Sequence, residues 1–297
     1  MLHAFGNKQC SDPRDAVYAL RSLAPSLMSV VPDYSLSTAE VFTEATRAAV
    51  SKSESLTLLD QVMYKKPTVG RLPVIEGLPS WVPDWRMTFI GEKRLPEIRS
   101  PNAGGGQLKQ EELVCHENPQ VLLLKGFSVD IVLHVTESYP WRREQARDLD
   151  KAVKQLDYWL PECGMSLNPK VCGLHVKNMG FVLLTFRGLL DEFSRRLGYN
   201  IPALESPNKS ESLSRLAGTA IVITRSGYRG FVFGEPKVND LVFVAYGAKY
   251  PYLLRQGGAT KETYSFIGHT VIERLMDGKS LDLGKEGKLT ERTICLV

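Results

Sequence analysis

The chain has 297 residues, of which 43% are apolar and 24% are charged. That composition is average for a folded globular protein, and it excludes a fully disordered chain, a collagen-like repeat and a coiled coil. The formal charge of +4 comes from 37 basic and 33 acidic residues that are interspersed along the chain, so nucleic acid is not expected as a partner.

Cysteine count and hydropathy indicate the compartment. The five cysteines are an odd number, and no apolar run reaches the roughly 20 residues that a membrane span requires. The sequence also contains no apolar stretch typical of a secretion signal. We therefore expect a soluble protein of a reducing compartment, the cytoplasm, without a membrane span.

Helix signals dominate the first part of the chain. Asp12 and Pro13 are typical of a helix start, and the apolar spacing that follows continues to Ala24. Ser37 and Glu40 form a capping box before a second helix. A third helix is predicted from the spacing of four apolar residues: Leu56, Leu59, Val62 and Met63.

The middle of the chain alternates between irregular and regular patterns. Residues 65–110 contain six prolines and three consecutive glycines, so we expect an irregular segment that Trp81 and Trp85 anchor to the core. A β segment is predicted at 120–137. Further predictions are a helix over 142–160, a helix over 181–197 whose first residues also fit a buried strand, and a polar linker over 200–214.

The last third has the pattern of an antiparallel β structure. Its short apolar runs are separated by turn residues and lie at 220–224, 230–234, 240–246, 252–255 and 264–272. Five such runs predict a small antiparallel barrel or sandwich, which the segment at 120–137 is expected to join. The predicted class is α+β, with a mainly helical region 1–214 packed on a β-rich region 215–297 and sharing one core.

The motifs of metal and nucleotide chemistry are missing. Cys163, Cys172 and His175 come closest to a metal-ligand set, but their spacing fits no common zinc pattern. The glycines at 104–106 have neither a preceding strand nor a following Lys-Ser or Lys-Thr, and no nucleophile-elbow motif occurs. We expect no metal site and no cofactor.

Aromatic and imidazole groups are the remaining candidates for a site. An apolar pocket between the helical part and the β structure is expected to use Trp81, Trp85 and Trp159 as substrate-binding walls. His134, His269 and Tyr246 are the candidate catalytic hydrogen-bond donors. For each of these residues the alternative interpretation is core packing, and for the two histidines a structural role is the better interpretation.

Several strings resemble the fungal heterokaryon-incompatibility (HET) family. The first is Asp12-Pro13-Arg14-Asp15-Ala16-Val17-Tyr18-Ala19-Leu20, and the second is Leu78-Pro79-Ser80-Trp81-Val82-Pro83-Asp84-Trp85. The C-terminal match includes Gly227-Tyr228, Leu254-Arg255 and Met276-Asp277-Gly278. The resemblance covers about two-thirds of the chain. HET proteins usually begin with an α/β signalling region whose characteristic strings do not occur here, and Met1 falls close to where that region is expected to end.

The resemblance implies two classes of function. One is a cofactor-free enzyme for an intramolecular [4+2] cycloaddition of the Diels–Alderase type in fungal terpenoid biosynthesis, acting on a small hydrophobic substrate such as a polycyclic or diterpenoid aldehyde. The other is a partner-binding or regulatory remnant of an incompatibility protein without catalytic activity. An enclosed apolar cavity favours the first class, and an exposed apolar patch with a polar rim favours the second.

Overall fold

The fold was determined as a computed structural model. It describes residues 10–53, 56–62, 74–86, 101–105, 113–115, 117–135, 219–257, 262–272 and 275–297. The helices are α1 (Asp15–Tyr18), α2 (Thr38–Ser53) and α3 (Lys279–Lys285), with short 3-10 helices at Pro25–Leu27 and Leu59–Gln61. The strands are β1 (Leu113–Cys115), β2 (Leu122–Val135), β3 (Thr219–Thr224), β4 (Arg229–Phe233), β5 (Leu241–Ala245), β6 (Tyr252–Gln256), β7 (Thr263–Ile272) and β8 (Thr290–Leu296).

Helix α2 begins with the predicted capping box. The Ser37 hydroxyl accepts a hydrogen bond from the Glu40 amide at 3.2 Å, and the Ser37 amide donates to the Glu40 carboxylate at 2.8 Å. Both bonds satisfy amides that have no partner inside the helix. Val41, Phe42 and Ala45 are fully buried on one face, so burial of this face fixes the helix on the core.

The other two predicted N-terminal helices are shorter than the sequence indicates. Asp12 accepts the Arg14 amide and pairs with the Arg14 guanidinium, and the helix itself contains only Asp15–Tyr18. The predicted third helix is a single 3-10 turn, Leu59–Gln61. Its apolar spacing reflects burial on the core rather than a regular helix.

The five predicted C-terminal runs are all strands, and the predicted segment at 120–137 joins them as β2. Hydrogen-bonded pairings connect β2 to β3, β3 to β4, β4 to β7, β7 to β6, β6 to β5 and β5 back to β2. This closed circuit of six strands is antiparallel throughout. Strand β8, which the sequence analysis missed, pairs with β2 and, in parallel, with β7.

The two faces of the circuit belong to different apolar clusters. Val242 and Leu253 pack in one cluster, whereas their neighbours Phe243 and Tyr252 pack in the other, because successive side chains of a strand point to opposite faces. The second cluster also contains buried residues of α2 and the segment 74–86. The helices and this segment therefore cover one face of the sheet, and the candidate site lies at that contact.

The predicted α+β class is confirmed. The choice between a barrel and a sandwich, and the division at residue 214, stay predictions. The predicted helices over 142–160 and 181–197 and the linker over 200–214 lie outside the described residues, as do Trp159 and the set Cys163, Cys172 and His175. No helix within the described ranges is both long and apolar enough to cross a membrane.

Candidate functional site

An apolar groove of about 590 Å³ lies between the segment 74–80 and strand β7. Most of its wall is aliphatic or aromatic, with contributions from Val62, Ile75, Leu78, Phe266, Ile267 and Val297. Its polar residues are Ser80, Gln120 and Ser265. This volume is within the usual range of small-molecule sites, roughly 300 to 1,000 Å³.

Ser80 fixes one wall of the groove to the other. Its hydroxyl accepts a hydrogen bond from the Phe266 amide at 2.8 Å and donates to the main-chain oxygen of Val297. The Ser80 amide donates to the same Val297 oxygen at 3.1 Å, and the Val297 amide donates to the Tyr264 carbonyl at 3.0 Å. The segment 74–80 is therefore tied to β7 and to the residue after β8 through main-chain groups.

Gln120 and Ser265 are the polar side chains available to a ligand. The main chain of Gln120 is engaged, since its carbonyl accepts the Trp81 indole N–H at 3.1 Å and its amide donates to Asn118 at 2.9 Å. Within the described part of the chain, the Gln120 carboxamide and the Ser265 hydroxyl make no hydrogen bond. Both residues are partly exposed, so each can donate to an oxygen atom of a bound molecule.

The two tryptophans predicted as pocket walls lie in the core behind the groove. Trp81 is fully buried, and its indole N–H donates to the main-chain carbonyl of Gln120. Trp85 is also buried, and its indole N–H donates to the Thr46 hydroxyl at 3.0 Å. Neither residue lines the groove, although Trp81 follows directly after Ser80.

The three predicted catalytic residues lie on different elements: His134 near the end of β2, Tyr246 directly after β5, and His269 on β7. His134 is exposed near the end of β2, and the Tyr246 amide bonds to Lys125 near its beginning. Lys125 and His134 are nine residue steps apart, which is about 30 Å measured along the strand. The Tyr246 hydroxyl donates to Glu291, which keeps the pKa of that carboxyl below its ordinary value.

His269 lies on β7, two residues beyond the groove residue Ile267. Its ring packs on the Tyr250 ring with 5.0 Å between centroids. Burial lowers the pKa of His269 from 6.5 to about 4, so its imidazole is neutral at neutral pH. It is the predicted donor nearest to the groove along the chain, but it is not among the lining residues.

Behind the groove lies a buried carboxyl group that the sequence analysis did not single out. Asp60 is only 7% exposed, and within the described residues neither carboxyl oxygen makes a hydrogen bond of normal geometry, although the Tyr252 hydroxyl is close enough to act on the carboxyl group. Burial raises the pKa of Asp60 to about 8, against smaller lowering effects of Lys249 and the Tyr252 hydroxyl. The only available signal was an acidic residue between the apolar residues Leu59 and Val62.

The described ranges contain no group of three or more His, Cys, Asp or Glu side chains arranged to hold a metal ion.

The sequence analysis did not single out the polar residues of the groove, because Gln120 and Ser265 are ordinary surface residue types with no distinguishing spacing. Ser80 stood in a string that the resemblance singled out, but no sequence pattern assigns it a role.

Comparison with known proteins found a family similarity for the C-terminal part of the chain, which contains strands β3 to β7. Residues 200–288 match the model of the Het-6 beta-barrel domain. Over 92% of its length the chain is similar to "Heterokaryon incompatibility protein 6, OR allele" of Neurospora crassa, at 22% identity. The chain spans about half the length of this curated relative, 49% of it. No solved structure matches the chain. Both matches are to proteins of the heterokaryon-incompatibility type, to which this chain is similar.

Proposed function

We propose that the chain binds an apolar small molecule in the groove beside Ser80. The groove itself is the observation that supports this most directly, because its volume suits a small organic molecule and most of its wall is apolar. Burial of apolar ligand surface would provide the main driving force, at about 25 cal/mol for each Å² removed from water. Gln120 and Ser265 would fix the orientation of an oxygen-bearing group.

A fluorescence titration with the neutral probe N-phenyl-1-naphthylamine tests this binding. The wild-type chain should give saturable binding, and Ser265→Phe, which fills the groove, should weaken it about tenfold or more, equivalent to about 1.4 kcal/mol. Ser226→Phe is the matched control, since Ser226 is exposed in the turn between β3 and β4. Equal weakening by both variants, or no saturable binding, would contradict a groove site.

As the reaction at this site we propose a cofactor-free intramolecular [4+2] cycloaddition of the Diels–Alderase type. The two terminal carbons of a diene would form two σ bonds to the two carbons of an alkene in the same molecule, and no atom would leave. Such a reaction needs a wall that folds the substrate into the reactive geometry. It also gains from one donor to the carbonyl attached to the alkene, a role that fits Gln120 or Ser265.

A diterpenoid aldehyde that carries a cyclopentadiene is the substrate for the test. The protein should raise the rate of cyclisation and change the endo/exo ratio relative to buffer. Gln120→Leu should lower the rate about tenfold or more if its carboxamide is the donor. Rate and ratio equal to those in buffer would contradict the cycloaddition while leaving the binding proposal to the probe titration.

A second candidate function, recognition of a protein partner, has support from a different surface. Four apolar side chains between α1 and α2 are 42 to 66% exposed: Leu23, Met28, Val31 and Tyr34. Exposed apolar side chains that form a contiguous patch are typical of interaction surfaces, and these four lie close together in the chain. The Neurospora crassa relative is named an incompatibility protein, which agrees with this alternative. A chain that fails both the probe and the cyclisation tests would favour it.

A further inference from the structure

Asp60 is unusual because its carboxyl group is buried and, among the described residues, makes no hydrogen bond of normal geometry. A buried polar group is normally paired, and an ionised carboxylate in apolar surroundings carries a large desolvation cost. Both oxygens of Asp60 are buried from solvent, and the buried Tyr252 hydroxyl is a polar group that acts on them. The folded state therefore favours the protonated acid, in which the cost of burial is much smaller.

The titratable groups that act on Asp60 or lie beside Tyr252 are found on β6, on β7 and in the turn before β6. Tyr252 on β6 is fully buried, its hydroxyl is directed to the Leu56 carbonyl at 3.5 Å, and its pKa is raised well above the ordinary value by burial and by Asp60. Lys249, just before β6, is exposed and acts on Asp60 from a distance. His269 on β7 is paired with Tyr252 across the strands. No cation among these groups forms an ion pair with Asp60.

The position of Asp60 connects it to the wall of the groove. Asp60 is the middle residue of the 3-10 helix Leu59–Gln61, which contacts β7. The Val62 amide donates to the Leu59 carbonyl at 3.0 Å, so Val62 follows this helix rigidly. Val62 is a lining residue of the groove. A displacement of the helix from the sheet would therefore move Val62, one of the residues that line the groove.

We propose that Asp60 is a proton-dependent latch, which holds the 3-10 helix on β6 and β7 when protonated and releases it, together with Val62, when ionised. The part of this inference that concerns ligand affinity rests on the proposed binding function. The latch itself does not rest on that function, because it concerns only whether the 3-10 helix stays packed on the sheet.

The latch predicts a pH dependence of probe binding. The affinity of wild-type protein for N-phenyl-1-naphthylamine, which stays neutral in this range, should fall about tenfold between pH 7 and pH 9. Asp60→Asn cannot ionise and should show no such fall. Asp282→Asn, at an exposed position of α3, should behave like the wild type. A fall that persists in Asp60→Asn, or is absent from the wild type, would overturn the proposal.

Hydrogen exchange measures the latch without any ligand. The amides of Gln61 and Val62 bond to the carbonyls of Leu58 and Leu59. Their protection should drop about tenfold in the wild type relative to Asp60→Asn when the pH is raised from 7 to 9. An unchanged ratio would overturn the latch. If protection drops but the probe binds at no pH, the binding proposal fails and the latch stands.

A surface substitution keeps the test valid if Asp60→Asn does not fold. Lys249 is exposed, and its positive charge favours ionisation of Asp60. Lys249→Met should therefore move the midpoint of the protection loss to higher pH. A midpoint that stays in place or moves to lower pH would contradict the assignment of the transition to Asp60.

Discussion

The hydroxyl of Ser80 accepts a hydrogen bond from the Phe266 amide at 2.8 Å, although 186 positions separate the two residues in the chain. Through this bond and the contacts of Ser80 with Val297, an irregular segment becomes one wall of a groove whose other wall is strand β7. The candidate site therefore depends on a single small side chain that satisfies main-chain groups of two other segments.

Ser80→Ala should destabilise the fold. The change leaves the Phe266 amide without its acceptor and removes one donor to Val297, and because these bonds are at most partly buried we expect a loss of about 0.5–1.5 kcal/mol for each. Urea unfolding monitored by tryptophan fluorescence measures this loss. Ser226→Ala, at an exposed turn, should change the free energy of unfolding by less than about 0.5 kcal/mol. Similar losses in both variants would show that the Ser80 bonds add no stability.

The contribution of Asp60 to the free energy of unfolding should decrease as the pH rises from about 4 to about 8. Asp60 has a pKa of about 8 in the folded chain and an ordinary value near 3.8 when unfolded, so between these values the folded state binds the extra proton. Its contribution is complete below pH 3.8 and is lost as the pH rises through 8. The slope contributed by Asp60 is on the order of 1 kcal/mol per pH unit.

Urea unfolding of wild type and Asp60→Asn at several pH values between 5 and 8 isolates this contribution. The difference in unfolding free energy between the two proteins should shift in favour of Asp60→Asn as the pH rises. Asp282→Asn serves as the surface control, because its side chain is exposed. A difference that is constant across the range would mean that Asp60 ionises at its ordinary pKa in the folded chain.

His269 should contribute a dependence of the opposite sign at lower pH. Its pKa is lowered to about 4 by burial, so the neutral imidazole is favoured in the folded state. The stability that follows from this shift is present above pH 6.5 and is lost as the pH falls through 6.5 toward 4. The nuclear magnetic resonance signal of His269, assigned with His269→Gln, should titrate near pH 4. Titration near 6.5 would contradict a buried ring.

Gly126→Ala should strongly destabilise the pairing of β2 with β5 and therefore the fold. A methyl group at this position would lie 2.2 Å from the Val244 carbonyl oxygen and 2.7 Å from the Ala245 Cα, distances that require the backbone to move. Such overpacking costs about 1–3 kcal/mol or more. At Gly257 the nearest atom would be 3.4 Å away, so Gly257→Ala is the matched control. Thermal unfolding should show a clearly larger decrease for Gly126→Ala.

The sequence predicts the elements whose local pattern agrees with their final environment. Strands β5 and β7 have apolar runs bounded by turn residues, and α2 has a capping box, so both kinds of element are found close to their predicted positions. Strand β8 was missed because four of its seven residues are exposed and polar or charged. Its pairing with β2 is a contact between distant segments, which no local pattern reveals.

The candidate site is less predictable than the fold for the same physical reason. Trp81 and Trp85 stand out in the sequence because they are large and aromatic, but their size places them in the core. Gln120 and Ser265 matter only because the fold brings their neighbourhoods together beside Ser80. Asp60 is notable only once its burial is known, since most aspartates are exposed.

The pairings of β2 also determine when the protein can assemble during synthesis. Gly126 pairs with Ala245, and Leu122 pairs with Leu296. Strand β2 therefore cannot pair with β5 or β8 until segments more than 100 residues later in the chain have been synthesised. Until then its edges are open to pairing with other chains, which is a known route to aggregation. Non-local pairing of this kind is expected to fold more slowly, and to leave strand edges exposed for longer, than the local contacts of a helical protein of equal size.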